Sequence, residues 1–255
     1  VNILSKRTIY NDLNKDVIKL LDFFKNNSFE TIDNQISKII TDYSLSDSEA
    51  YGYEYYGCNS SDGLGKYNKA AFQKLRKDFN DSNRDNPAML FALIIYGFNN
   101  QIRFNNKGEY NLPVGKRDYN RSTKYNLASF CRDLASQDSV ILNTDFRNFD
   151  ISTLNGDDMI YCDPPYLITT ATYNEKDGWN TNDEKDLLDF LTRVDKQGIK
   201  FALSNVLEHK GQRNELLDNW AKQYKVHNLN FSYNNSNYHS TASSHKTQEV
   251  LITNY

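Results

Sequence analysis

From Val140 onward the chain alternates short apolar runs with amphipathic stretches, and that rhythm admits few folds. Val140-Ile141-Leu142 and Met159-Ile160-Tyr161-Cys162 read as strands. A helix over about 182–197, a strand at Ile199–Ser204, a helix over about 213–223 and strands at Val226–Phe231 and Gln248–Thr253 follow. Such alternation predicts an α/β chain with an open sheet and right-handed crossovers. Ahead of it, Lys6–Asp12 reads as a short strand ending in a polar turn. An amphipathic helix comes next over about 14–25, with Val17, Ile18, Leu20, Leu21 and Phe24 on its apolar side. Further helices are expected near 30–43, 67–79, 87–97 and 122–136, and the Tyr-, Gly- and Ser-rich residues 51–65 read as a long loop. Asn106-Lys107-Gly108 predicts a hairpin over Arg103–Pro113, because glycine supplies the positive φ of the turn. A length of 255 residues suits one α/β domain with an inserted or appended subdomain.

Charge is unevenly placed. The net charge is −3, so no global basic field points to nucleic acid. Between Asn100 and Tyr125, however, six basic residues (Arg103, Lys107, Lys116, Arg117, Arg121, Lys124) face two acids (Glu109, Asp118), and screening makes a local patch count for more than the total. The cysteines Cys58, Cys131 and Cys162 are far apart, which argues for a reducing compartment and against a disulfide framework. No apolar run reaches membrane-spanning length and the first residues are no signal peptide, so a cytoplasmic protein is expected. The histidines His209, His227, His239 and His245 lack ligand spacing, and no metal is expected. Asp62-Gly63-Leu64-Gly65 follows a polar segment rather than a buried strand, which sets it aside as a cofactor loop. Most of the 18 Tyr and 14 Phe suit packing, and some suit stacking on bases.

Asp163-Pro164-Pro165-Tyr166 follows the strand at Met159–Cys162 without a gap. Two prolines cannot continue the ladder, so the strand ends in a stiff, extended exit. Fixed acceptors at such an exit suit one chemistry. An exocyclic amino group conjugated to an aromatic base is a poor nucleophile until both of its N–H bonds are held by acceptors that favour a tetrahedral nitrogen. Asp163 can hold one and the Pro164 carbonyl the other. Tyr166 can stack on a base swung out of the duplex. The bland alternative is a rigid strand exit with a buried tyrosine. With no Pro-Cys dipeptide, the covalent cysteine route to cytosine C5 is absent, and Cys162 reads as packing.

On these residues the chain resembles the Dam-type DNA adenine-N6 methyltransferases, in the branch whose recognition segment precedes Asp-Pro-Pro-Tyr. Tyr10-Asn11-Asp12, Arg103 through Arg117, Asn143-Thr144-Asp145-Phe146, Leu167-Ile168-Thr169 and Phe201-Ala202-Leu203-Ser204-Asn205 extend the likeness over nearly the whole chain. The resemblance implies a Rossmann-like class I methyltransferase sheet with an inserted, mainly helical recognition subdomain carrying a β-hairpin. Residues 1–28 and 138–255 would form the catalytic domain and residues 29–137 the recognition subdomain. It implies S-adenosylmethionine as cofactor, with Asp12 on the ribose, Asp145 and Phe146 at the adenine, and Asp163 at the reacting end. A carboxylate can accept both ribose hydroxyls, although Asp12 is equally placed to cap a helix.

The implied partner is double-stranded DNA. A two-stranded ribbon fits the major groove, and arginine matches guanine O6 and N7. Arg103 and Arg117 are therefore expected at bases or adjacent phosphates, Lys107, Lys116 and Arg121 on phosphates, and Asn105 and Pro113 beside base edges. Asn205 and Lys246 complete the expected DNA contacts. A solvated polar hairpin is the alternative. The polar stretch Ser232–Thr247 reads either as a phosphate clamp or as a disordered loop. GATC is the default target of the family, and a companion restriction endonuclease is a further implied partner. The family's Phe-x-Gly-x-Gly-like first-strand loop does not occur ahead of Asp12, so the chain is expected to be a piece of a longer enzyme. The alternatives are a catalytically incomplete DNA-binding protein and an RNA or protein amino methyltransferase.

Overall fold

The computed structural model describes residues 5–169, 178–229 and 247–255. Contacts divide the chain into two compact units, Val1–Asp145 and Phe146–Tyr255.

In the first unit, β1 (Thr8–Asn11) pairs in parallel with β2 (Ser139–Leu142), in the register Thr8↔Ser139 to Asn11↔Leu142. Asp12 and Asp145 thus follow the carboxyl ends of neighbouring strands. Between the strands the chain forms α1 (Lys15–Asn26), α2 (Phe29–Tyr43), α3 (Ser48–Tyr55), α4 (Gly65–Asp81), α5 (Pro87–Tyr96) and α6 (Arg121–Ser136). Helix α5 reads Pro-Ala-Met-Leu-Phe-Ala-Leu-Ile-Ile-Tyr, apolar all round, and lies in the middle of the unit. A helix without a polar face can only be a core helix. Phe72, Leu75 and Phe79 of α4, Ile32 and Ile36 of α2 and Leu134 of α6 share its core. Its last residue, Tyr96, is fully buried, and its hydroxyl donates to the Ser46 carbonyl at 2.6 Å.

The expected loop over 51–65 is in part a helix. Asp47 caps α3 by accepting from the Ala50 amide, and the helix kinks at Gly52, where φ is 74°. Glycine carries that left-handed conformation at no steric cost, so a run rich in turn residues still winds. Asparagine starts many helices here: Asn14, Asn86 and Asn120 each accept from amides of the first turn of α1, α5 and α6.

The second unit contains β3 (Met159–Cys162), α7 (Thr181–Lys196), β4 (Lys200–His209), β5 (Gln212–Arg213), α8 (Glu215–Ala221), β6 (Lys225–Leu229) and β7 (Thr247–Thr253). The sheet order is β3-β4-β7-β6, with β5 pairing the end of β4. Strands β3 and β4 are parallel, but β7 runs antiparallel to both β4 and β6, so the parallel rhythm ends before the last strand. Strand β4 continues five residues past the expected Ser204, to His209. Lys210 and Gly211 both have positive φ (51° and 79°) and turn it tightly into β5, as a two-residue hairpin requires.

Helix α7 opens with a reciprocal cap between Asn180 and Asp183. One turn in lies Glu184, a fully buried carboxylate. It accepts from Trp179 Nε1 at 2.6 Å, Asn205 Nδ2 at 3.2 Å and Asn214 Nδ2 at 2.9 Å. The start of α7, the middle of β4 and the cap of α8 are thereby tied to one side chain. Glu184→Ala would strand two buried donors and the half-buried Trp179 and is expected to destabilise the fold by about 3 kcal/mol, read as a lower urea midpoint. An unchanged midpoint would show the tie to be dispensable.

Candidate active site

Asp163 sits where the sequence puts it, immediately beyond β3, and its side chain is exposed. Cys162 is in register with Leu203, so Asp163, the first residue past β3, lies beside Ser204, which is still within β4. Tyr166 closes the turn. Its hydroxyl donates to Asp163 Oδ1 at 3.0 Å and lies 3.5 Å from Ser204 Oγ. Burial, and then the nearby Asp163 carboxylate, push the Tyr166 phenol up to about 12, so at neutral pH it is a donor. Burial likewise pushes the Cys162 thiol up to about 12, with Asp163 adding to the shift. A thiol held protonated is a weak nucleophile, and Cys162 packs against the core of its unit.

The strand ends of the first unit are tied by asparagine. Asn11 Oδ1 accepts from the Thr144 amide at 3.0 Å and its Nδ2 donates to the Thr144 carbonyl at 2.9 Å. Asn143 Nδ2 donates to the carbonyls of Asp12 and Leu13. Asp12 is exposed, and its Oδ1 accepts from the Asn14 amide at 2.7 Å. Asn14, not Asp12, is the helix cap. Asp145 is half-buried one residue beyond Thr144. Phe146, in the second unit, packs its ring against Trp179 and Phe190 with the Arg147 guanidinium over its face. In the sequence Asn11 and Asn143 stand as members of the runs that carry the family likeness, and no role for their amides is read there. Their position beside the two acids is the signal that could have found them.

The hairpin is built on a three-residue turn. The Asn105 carbonyl accepts from the Gly108 amide at 2.7 Å, the Asn105 amide donates to the Glu109 carbonyl at 2.8 Å, and Phe104 bridges Tyr110. Asn105 Oδ1 accepts from the amides of Lys107 and Glu109, and its Nδ2 donates to the Glu109 carboxylate. Its amide therefore shapes the turn. Gly108 has φ 75°, and a Cβ there would lie 2.8 Å from the Arg84 guanidinium. Three residues outside the hairpin hold it. Asn80 bonds both backbone groups of Tyr110, Arg76 donates to the Leu112 carbonyl, and Arg84 lies over the Phe104 ring.

Arg103 turns back on its own hairpin, donating through Nε to Asn111 Oδ1 at 2.7 Å and through Nη2 to the Asn111 carbonyl at 3.2 Å. Lys107, Arg117 and Arg121 are exposed and form no ion pair with other described residues. Pro113 and Lys116 are exposed as well, the Pro113 carbonyl accepting from the Phe98 amide. Next to Arg117, Asp118 is fully buried, and its carboxylate accepts from Ser48 N, Ser48 Oγ and Ser46 Oγ. Burial pushes this carboxyl above its ordinary value.

Asn205 is a correction. Only 1% of it is exposed, its Nδ2 donates to Glu184 and its Oδ1 accepts from the Val206 amide, so its polar atoms serve β4 and are not offered to DNA. Lys246, and the stretch Ser232–Thr247 apart from its last residue, lie outside the described residues. Among the described residues no group of three or more His, Cys, Asp or Glu could hold a metal ion, and no helix is long and apolar enough to cross a membrane.

The chain is 38% identical over its full length to the Type II methyltransferase M.FokI of Planomicrobium okeanokoites, and 37% identical over its full length to the modification methylase StsI of Streptococcus sanguinis. It spans 37% of the length of each of these two relatives. A DNA adenine methylase of Vibrio cholerae is 31% identical over 149 residues, 54% of this chain and 51% of that protein. The sequence profile of the D12 class N6 adenine-specific DNA methyltransferases matches residues 1–235. The mixed α/β architecture agrees with the class I methyltransferase fold expected from the sequence. The chain belongs to the D12 class N6 adenine-specific DNA methyltransferase family.

Proposed function

We propose that the chain supplies the base-binding and target-reading parts of a methyltransferase that modifies adenine N6 in duplex DNA. The observation that carries this reading is the exposed Asp163 carboxylate on a diproline exit, with the Tyr166 hydroxyl fixed against it at 3.0 Å. Asp163 accepts one N–H of the adenine amino group and the Pro164 carbonyl accepts the other. That leaves the nitrogen lone pair free of the ring. Tyr166 orients the carboxylate and offers its ring to the base, which must leave the stack to reach it. Because the exit is rigid, little reorganisation is needed when the nitrogen reacts.

S-adenosylmethionine, when bound, supplies an electrophilic sulfonium methyl. The first unit fits such a cofactor in one respect. Asp12 is an exposed acid at a strand end whose Oδ1 accepts from one local amide, and a carboxylate has acceptor sites beyond that one for the two hydroxyls of a ribose. Asp12 would hold the ribose hydroxyls, with Asp145 and Phe146 at the adenine. Residues 29–137 would read the target, Arg117 and Pro113 at bases and Lys107, Lys116 and Arg121 on phosphates. Arg103 and Asn105 set the hairpin's shape. GATC is the first sequence to test, and the modification methylases among the relatives favour a role beside a companion endonuclease.

The full-length protein should transfer tritiated methyl groups to adenine in duplex DNA. Asp163→Ala should lower kcat by about 10²-fold or more, as removal of a fixed polar group at a reacting centre does. Retained transfer by that variant would refute the assignment, and transfer to RNA or protein but not to duplex would replace it. Tyr166→Phe keeps the ring and loses the bond to Asp163, so kcat should fall about tenfold with KM for DNA little changed. Since the phenol stays protonated up to about 12, activity should show no loss between pH 7 and 10 that Tyr166→Phe removes, and pH profiles of the two proteins check this. Asn80→Ala frees the hairpin backbone. It should reduce discrimination between the methylated sequence and single-base variants by about tenfold, measured as the ratio of kcat/KM values.

A further inference from the structure

A tyrosine cluster on α3 and α4 is not used by this mechanism. Tyr51 and Tyr55, one turn apart, stack with ring centroids 4.9 Å apart and planes 26° apart. Tyr56 meets the edge of Tyr55 at 5.0 Å and of Tyr67 at 4.5 Å. Tyr56 is the anchor. It is half-buried, and its hydroxyl bonds both the amide and the carbonyl of Asp47. The other three rings face solvent, at 60% (Tyr51), 68% (Tyr55) and 45% (Tyr67) exposure. Large rings this exposed, next to each other and held by a half-buried partner, form a surface that a ligand would cover.

The cluster is fastened at two points to the segment that carries Lys116 and Arg117. Ser46, ahead of α3, and Ser48, its first residue, donate to the buried Asp118. Between Tyr56 and Tyr67, the Leu64 amide donates to the Lys116 carbonyl, and Lys116 packs so closely on Gly63 that a Cβ there would clash at 2.6 Å. Exposed Lys66 and Lys69 flank Tyr67, and Lys124 neutralises Glu49 of α3 at 3.0 Å. Phenol hydroxyls and ammonium groups around aromatic faces match a sugar–phosphate strand, with deoxyribose on the rings and phosphate oxygens on the donors.

We infer that Tyr51, Tyr55 and Tyr67 form a sequence-independent contact for one strand of the duplex flanking the bases read by the hairpin segment. This rests on the DNA-methyltransferase reading above. The test is hydroxyl-radical footprinting and equilibrium binding of the full-length protein on a long duplex carrying its methylated sequence. Protection should extend past the recognised bases on one side. In the variant Y51S/Y55S/Y67S the outer protection should vanish, the central protection should remain, and affinity should fall about tenfold. Trimming that flank should weaken the unaltered protein by the same factor and the variant hardly at all. An outer footprint unchanged in the variant, or an equal loss on long and trimmed duplexes, would overturn the proposal while leaving the methyltransferase reading intact. Absence of any footprint from the unaltered protein would overturn both.

Discussion

A strand that delivers a reactive side chain must stop, and its last amides and carbonyls still need partners once the ladder ends. Each candidate acid, Asp12, Asp145 and Asp163, follows such a stop. At β1 and β2 the side-chain amides of Asn11 and Asn143 replace the ladder, bonding the backbone of Thr144 and the carbonyls of Asp12 and Leu13. At β3 the difficulty is removed in advance, because Pro164 and Pro165 have no amide hydrogen to satisfy. Acids with both oxygens spent on backbone amides would be poorly placed to hold a ligand. The asparagines and prolines leave the Asp163 carboxylate outward and one Asp12 oxygen unused by its own loop.

Where local patterns and tertiary packing agreed, the sequence was a good guide. Helices α1, α2, α6 and α7 begin on Asn or Ser residues and carry apolar stripes, and both signals are local. The Asp163–Tyr166 exit was legible for the same reason, since proline chemistry does not depend on context. Three features were not legible. Helix α3 forms in a Gly- and Tyr-rich stretch because Asp47 caps it and Tyr56 ties it back, a contact that periodicity does not encode. The direction of β7 is fixed by its partners β4 and β6, not by its own alternation. Asn205, which read as an outward polar residue after an apolar strand, is buried because Glu184 arrives from α7 to receive its amide.

The basic residues of the hairpin region divide by how they are held. Arg103 is bound to Asn111 and gives the ribbon its shape, whereas Arg117 stands outward beside the buried Asp118. A charge count over this segment cannot separate these roles, because both side chains are arginine in a basic stretch. What separates them is whether the neighbouring backbone offers an acceptor within reach. Asp118, itself counted as a surface acid from sequence, is the inward anchor that keeps Lys116 and Arg117 at the surface.

The position of β7 has a consequence for how the second unit is made. Thr247–Thr253 lies between β4 and β6, with Ala202 and Lys225 both in register with Thr253. During synthesis, β4 leaves the ribosome well before its neighbour exists, with one edge unpaired. The first unit also waits for distant segments, since α1 packs on α5 and α6 and β1 pairs with β2. The second sheet is topologically late, and for that interval its central strand is an open edge, the kind of surface that pairs with the wrong chain.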